Sequence, residues 1–249
     1  MRHIRKIVKF VFFLLFTIGA VGFSKALFHV IIHPDKQWFS SSNLFILIGF
    51  AVYLPVHVIF HRLIVLHVFG HEITHVIWSM IFGGKMHELY VSRDNGGYTR
   101  YSRGNFLVTL APYFFPLYAI IFMVLHLIVA AEFKPYIDFL LGFSISFHIM
   151  LTLYSIRLDQ PDLRRSGLGF SLVFAYMMNC IVIGLIVCVV MDENAGVFFR
   201  DGMRIYKEIG PAFVDLGHWT AKHVINPLHD TLRNLGVGLD GFLDRAAKR

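Results

Sequence analysis

The sequence predicts an all-α polytopic membrane protein, with about five to six transmembrane or re-entrant helices and one small β-hairpin. Three observations carry that expectation. Of the 249 residues 56% are hydrophobic and 16% charged, with 26 Phe and a mean hydropathy of +0.63. A soluble globular chain is about a quarter charged, so this one lacks the polar surface to cover a core. The apolar residues are gathered in runs near or above the roughly 20 that a bilayer-crossing helix needs. The net charge of +7 lies in clusters outside those runs, a pattern that sets membrane topology and does not form a nucleic-acid groove. No nucleic-acid motif occurs, so the bilayer is an expected partner and nucleic acid is not. Oligomeric state leaves no mark.

Taken in order, residues 1–43 read as an N-terminal membrane anchor and connector. Arg2, Arg5, Lys6 and Lys9 precede an apolar run from Phe10 to Ile32. Ser24-Lys25-Ala26 loosely resembles a signal cleavage site, but the apolar run continues past it, which favours a retained anchor. Residues 44–191 form the membrane-embedded core. Leu44 to Phe60 and Leu63 to Phe82 are apolar and are interrupted by His61-Arg62; they make two spans, or one span plus a re-entrant or kinked piece at Pro55. Gly83-Gly84 ends the second helix. Met86 to Ser92 and Tyr98 to Tyr101 then read as strands joined by Asp94-Asn95-Gly96-Gly97. Phe106 to Ala131 is apolar and bent by Pro112 and Pro116. Tyr136 to Ile156 and Gly167 to Met191 are further spans, joined by a charged link over 157–165. Cys180 and Cys188 lie about two turns apart in one helix, too far for a disulfide. Residues 192–249 form a polar tail in which Ile225, Leu228, Leu232, Leu235, Leu239 and Phe242 make an amphipathic helical stripe.

Positive charge marks the cytoplasmic side. The N-terminus, the hairpin region (Lys85, Arg93, Arg100, Arg103) and the 157–165 link (Arg157, Arg164, Arg165) are the basic clusters. Two spans separate the hairpin from the link, which puts both on one side. With all three clusters inside, Leu44 to Phe60 is re-entrant, tilted or kinked, and the N-terminus is cytoplasmic.

The chemistry sits in His71-Glu72-Ile73-Thr74-His75. Residues four apart share a helix face, so His71 and His75 can hold one zinc ion and Glu72 can act as general base on a water beside it. Three ionisable groups in an apolar helix are costly to bury and mark a functional site. A catalytic zinc needs a third protein ligand. Asp159 and Asp162 are the candidates, at the membrane boundary and on the right side; Asp162, nearer the last span, is preferred. His67, one turn before His71 on the same face, could be a ligand or support one, with a packed or water-facing histidine as the plainer role; His148 and Asn179 could orient a ligand or stabilise an oxyanion, with helix–helix hydrogen bonding as theirs.

HExxH in a membrane helix, a Gly-Gly exit, a hairpin with a Gly-Gly turn and a later aspartate before a span together resemble the site-2 protease family of intramembrane zinc metalloproteases, in its shorter bacterial form. The resemblance covers roughly residues 44–191. It implies His71 and His75 as zinc ligands, Glu72 as base, an aspartate as third ligand, and cleavage of a partner's transmembrane segment near the cytosolic face. It also implies a membrane-protein substrate and a bacterial inner membrane. The hairpin would offer a strand edge to an unwound substrate. Two other readings remain open: a metal transporter using a histidine track (His57, His61, His67, His71, His75), and a metal-binding pseudoprotease that does not cut. A di-iron oxygenase would need paired histidines, and no His-His occurs.

Overall fold

The structure, a computed structural model, describes residues 2–32, 41–59, 63–92, 96–157 and 160–234. Two compact units divide it, residues 1–203 and 204–249. The first opens with α1 (Arg2–Ile32), α2 (Ser41–Ile59) and α3 (Ile64–Ile81), followed by β1 (Met86–Ser92) and β2 (Gly96–Tyr101). Then come α4 (Phe106–Leu110), α5 (Leu117–Ile128), α6 (Lys134–Arg157), α7 (Pro161–Arg165) and α8 (Leu168–Val190). Four of these helices are long and apolar enough to cross a membrane, and a fifth span results if the bent pair formed by α4 and α5 counts as one. α2 is a shorter apolar helix.

α3 is amphipathic in a membrane sense. Thr74, His75, Val76 and Ser79 turn inward, while Val65, Leu66, Phe69, Met80 and Ile81 are exposed and suited to lipid. It stops where Gly83 takes a left-handed φ of 74°, a conformation that costs glycine little. The Gly83 and Gly84 amides then bond back to the Met80 and Ser79 carbonyls, satisfying acceptors that the last turn leaves open. β1 and β2 pair antiparallel, with Glu88 opposite Arg100 and Tyr90 opposite Tyr98, and with an irregularity between Met86 and Glu88.

The third apolar segment does not run as one helix. α4 passes into a 3-10 turn at Ala111–Tyr113, and the chain bends by 76° before α5. Pro112 and Pro116 remove two amide donors there, so an unbroken ladder is impossible.

Packing follows small residues and rings. α2 lies along α6, and a Cβ at Gly49 or Gly142 would run into the backbone carbonyl of Phe139 or Ile46 on the facing helix; small residues permit this approach in membrane bundles. α1 packs on α8, joined by a core of Phe23, Phe114, Phe174 and Leu163. Ala119, Leu141, Ile145 and Ile183 join α5, α6 and α8. A buried pair, His126 Nδ1 to Asp138 Oδ1 at 2.6 Å, fastens α5 to α6 at the end next to their connecting turn.

After α8 the chain continues as α9 (Ala195–Thr220), a π-helical turn at Ala221–Ile225 and α10 (Asn226–Asn234). The long α9 precedes the stripe expected in the tail. Of that stripe, Ile225 is exposed; Leu235, Leu239 and Phe242 lie outside the described residues.

Candidate metal centre

One turn of α3 separates His71 from His75, and their rings meet edge to face at 5.0 Å. α7 carries the third group to them. Its start is set by Pro161 at the first helical position, where a missing amide costs nothing, and its seat by Leu163, fully buried in the core next door. Asp162 Oδ2 then lies 3.3 Å from His75 Nε2 and 3.6 Å from His71 Nε2. One ligand atom from each residue falls within 4.8 Å of the other two. Such separations are long for mutual hydrogen bonds and suit three donors facing a common point. Burial alone would raise the Asp162 carboxyl, but imidazoles protonated at Nε2 would outweigh that and hold it well below the usual carboxylate range. Asp159 lies outside the described residues.

The three groups open on a cleft of about 600 Å³ whose wall includes Glu72, Gly97, Thr99, Tyr101 and Gln160. β2 is held against α3 there. The Thr99 hydroxyl faces the Glu72 carbonyl at 3.4 Å, and a Cβ at Gly97 would strike Val68, the Tyr90 carbonyl and Glu72 Cγ. Tyr101 stacks on His75 with centroids 6.0 Å apart; burial first, then the charge of Asp162, raises its phenol. It therefore stays an uncharged hydroxyl at neutral pH.

A family model described as Peptidase M50B-like matches residues 43–194, more than half of the chain. The chain belongs to that family. Its members are the site-2 protease group of intramembrane metalloproteases, and with its apolar helices this M50B-like chain is a multi-pass integral membrane metallopeptidase. No curated protein and no solved structure matches it.

In this M50B-like peptidase the broken third segment supports the centre. The Val108 carbonyl would bond the amide of residue 112, but Pro112 has none, and the Ala111 amide is spent on Leu107. His75 takes the place of that donor, giving its Nδ1–H to Val108 O at 2.8 Å. This leaves Nε2 as the free lone pair, facing Asp162. The Tyr113 carbonyl, on the same turn, accepts from Asn179 Nδ2 at 2.6 Å. The Tyr113 ring packs edge-on against His71 at 5.3 Å.

The remaining sequence candidates fall around this core. His67 reaches Ser155 Oγ on α6 at 3.0 Å and stands outside the three-group cluster. His148 Nε2 meets Asn179 Oδ1 at 2.9 Å, joining α6 to α8. His57 pairs with the Tyr53 hydroxyl on α2, and His61 lies outside the described residues. Val108 and Tyr113 escape residue-level reading because they act through backbone carbonyls; the prolines four residues on from Val108 and next to Tyr113 were the available signal. Asp138 gave a plainer one, a carboxylate inside an apolar run.

Proposed function

We propose that this chain is an HExxH zinc endopeptidase that hydrolyses a peptide bond in or near a transmembrane segment of a partner membrane protein. The observation that carries it is the convergence of two imidazole nitrogens and one carboxylate oxygen beside Glu72 on the wall of a cleft edged by a β-strand. The donor set fits zinc: two nitrogens and one oxygen, three protein ligands with room for a fourth partner, as in catalytic sites. His71, His75 and Asp162 would hold the ion. When bound, zinc would act as a Lewis acid on the scissile carbonyl and make water a stronger acid.

The chain's own groups do the rest. Glu72 takes the proton of the attacking water and returns it to the leaving amine. β2 has one edge paired to β1, and its residues 96–99 and Tyr101 line the cleft. An extended substrate strand can add to the open edge through main-chain hydrogen bonds. That addition answers the intramembrane problem, since a helical substrate hides its peptide bonds until it is unwound. Gly97, with no Cβ, lets β2 lie close against Glu72. The basic residues flanking the hairpin and α7 support a cytoplasmic cleft, with the bacterial inner membrane as its setting.

The test is elemental analysis with turnover on a membrane-protein substrate. Wild type should carry about one zinc per chain, and His71→Ala and Asp162→Ala should lose it. Glu72→Gln should keep the metal and lose turnover by roughly the 10²–10⁴-fold that a general base supplies. A zinc-free, well-folded wild type would sink the reading. An active Glu72→Gln would remove the base.

A further inference from the structure

The two histidines of the centre differ in what holds their second nitrogen. His75 gives its Nδ1–H to Val108 O. His71 turns Nε2 toward Asp162, and among the described residues its Nδ1 meets no hydrogen-bond partner. A ligating histidine almost always donates that second N–H, which orients the ring and raises its basicity.

The His71 ring walls two spaces. One is the cleft; the other is an inner cavity of about 30 Å³ between α3, the proline break, α5 and α6. Around 10–15 Å³ suffices for one water, provided polar partners are present. His67, Thr74, Ser144, His148 and Thr152 supply the polar part of the wall. Three of these are already engaged: His67 with Ser155, the Thr74 hydroxyl as donor to the Gly70 carbonyl, and His148, through Nε2 alone, with Asn179.

The state of His148 follows from Asn179. Both amide hydrogens of Asn179 are in use, toward Tyr113 O at 2.6 Å and Ala175 O at 2.9 Å. Its Oδ1 can only accept, so His148 Nε2 must donate across the 2.9 Å contact. An uncharged imidazole that donates from Nε2 keeps a lone pair on Nδ1. His148 thus offers the acceptor that His71 lacks.

We propose that His148 is a positioning residue for His71: a water in the inner cavity accepts the His71 Nδ1–H and donates to His148 Nδ1, with Asn179 fixing the tautomer that allows it. This rests on reading His71 as a metal ligand. The path runs from the Tyr113 carbonyl through Asn179, His148 and the water to His71. The Tyr113 ring closes it by packing on the same imidazole. The proline break therefore orients both histidines, His75 directly through Val108 and His71 through this relay.

Two measurements test it. Nitrogen-15 NMR of histidine-labelled wild type in detergent, with His148→Gln to assign the signal, should show His148 as the Nε2–H tautomer. An Nδ1–H tautomer or a doubly protonated ring overturns the proposal, and this readout does not depend on an apolar variant folding. Zinc affinity by chelator competition is the second. His148→Leu fills the space without an acceptor and should weaken zinc binding about 10–100-fold, whereas His148→Gln, which can accept, should recover most of the loss. Wild-type affinity in His148→Leu, or a glutamine variant no better than leucine, overturns the relay. Failure of wild type to bind zinc overturns the metal reading itself, so the two failures are distinguishable.

Discussion

Pro112 does two things at the scale of a single residue. It breaks a span, and it frees the carbonyl that orients His75. Pro112→Ala would restore an amide able to compete for Val108 O. Zinc affinity measured by chelator competition should then fall by about tenfold, the lower range for loss of a ligand's supporting hydrogen bond; an unchanged constant would show that His75 needs no such partner. The HExxH residues were legible from spacing alone, because one turn of helix brings His71 and His75 together whatever surrounds them. The tautomer of His75 was not, since it depends on a carbonyl 33 residues away.

Among elements, β2 packs on α3 beside the cleft, and α5 packs on α6 away from it. Gly97→Val would push a branched side chain into Val68, the Tyr90 carbonyl and Glu72. β2 should be displaced from α3, so turnover is expected to drop while zinc content holds, as read by paired activity and metal assays. The His126–Asp138 pair raises a separate expectation. Asp138 is 1% exposed, and removing one partner of a buried pair costs about 3–5 kcal/mol because the other is left uncompensated. Asp138→Ala should therefore lower the unfolding midpoint in detergent more than His126→Leu with Asp138→Leu together. The hairpin could be read from Asp94-Asn95-Gly96-Gly97 between alternating residues, a local turn chemistry. The bend inside the third apolar segment was signalled by its prolines. Its 76° angle was not, because packing on α7 and α8 selects the angle.

At the scale of the molecule, Asp162 beside His75 brings the link before α8 to the end of the fold where β2 packs on α3. The turn at Ala131–Phe133 joins the opposite ends of α5 and α6. Single cysteines introduced at Lys85 and Arg165 should accordingly label from one face of sealed vesicles and one at Glu132 from the other. Native Cys180 and Cys188 are buried and give little background. Labelling of Lys85 and Arg165 from opposite faces would refute this topology.

The sequence by itself determined the membrane class, the apolar segments, the hairpin, and the pairing of His71, Glu72 and His75. Each rests on composition or on contacts within a few residues, where helix period and turn chemistry decide. Only the tertiary structure brought Asp162 to the histidines, turned the Val108 carbonyl toward His75 and put Asn179 between His148 and Tyr113. Those partners are separated by 31 residues or more. Bringing them together depends on how buried Leu163 seats α7 and how the proline break is packed, and no local pattern encodes that.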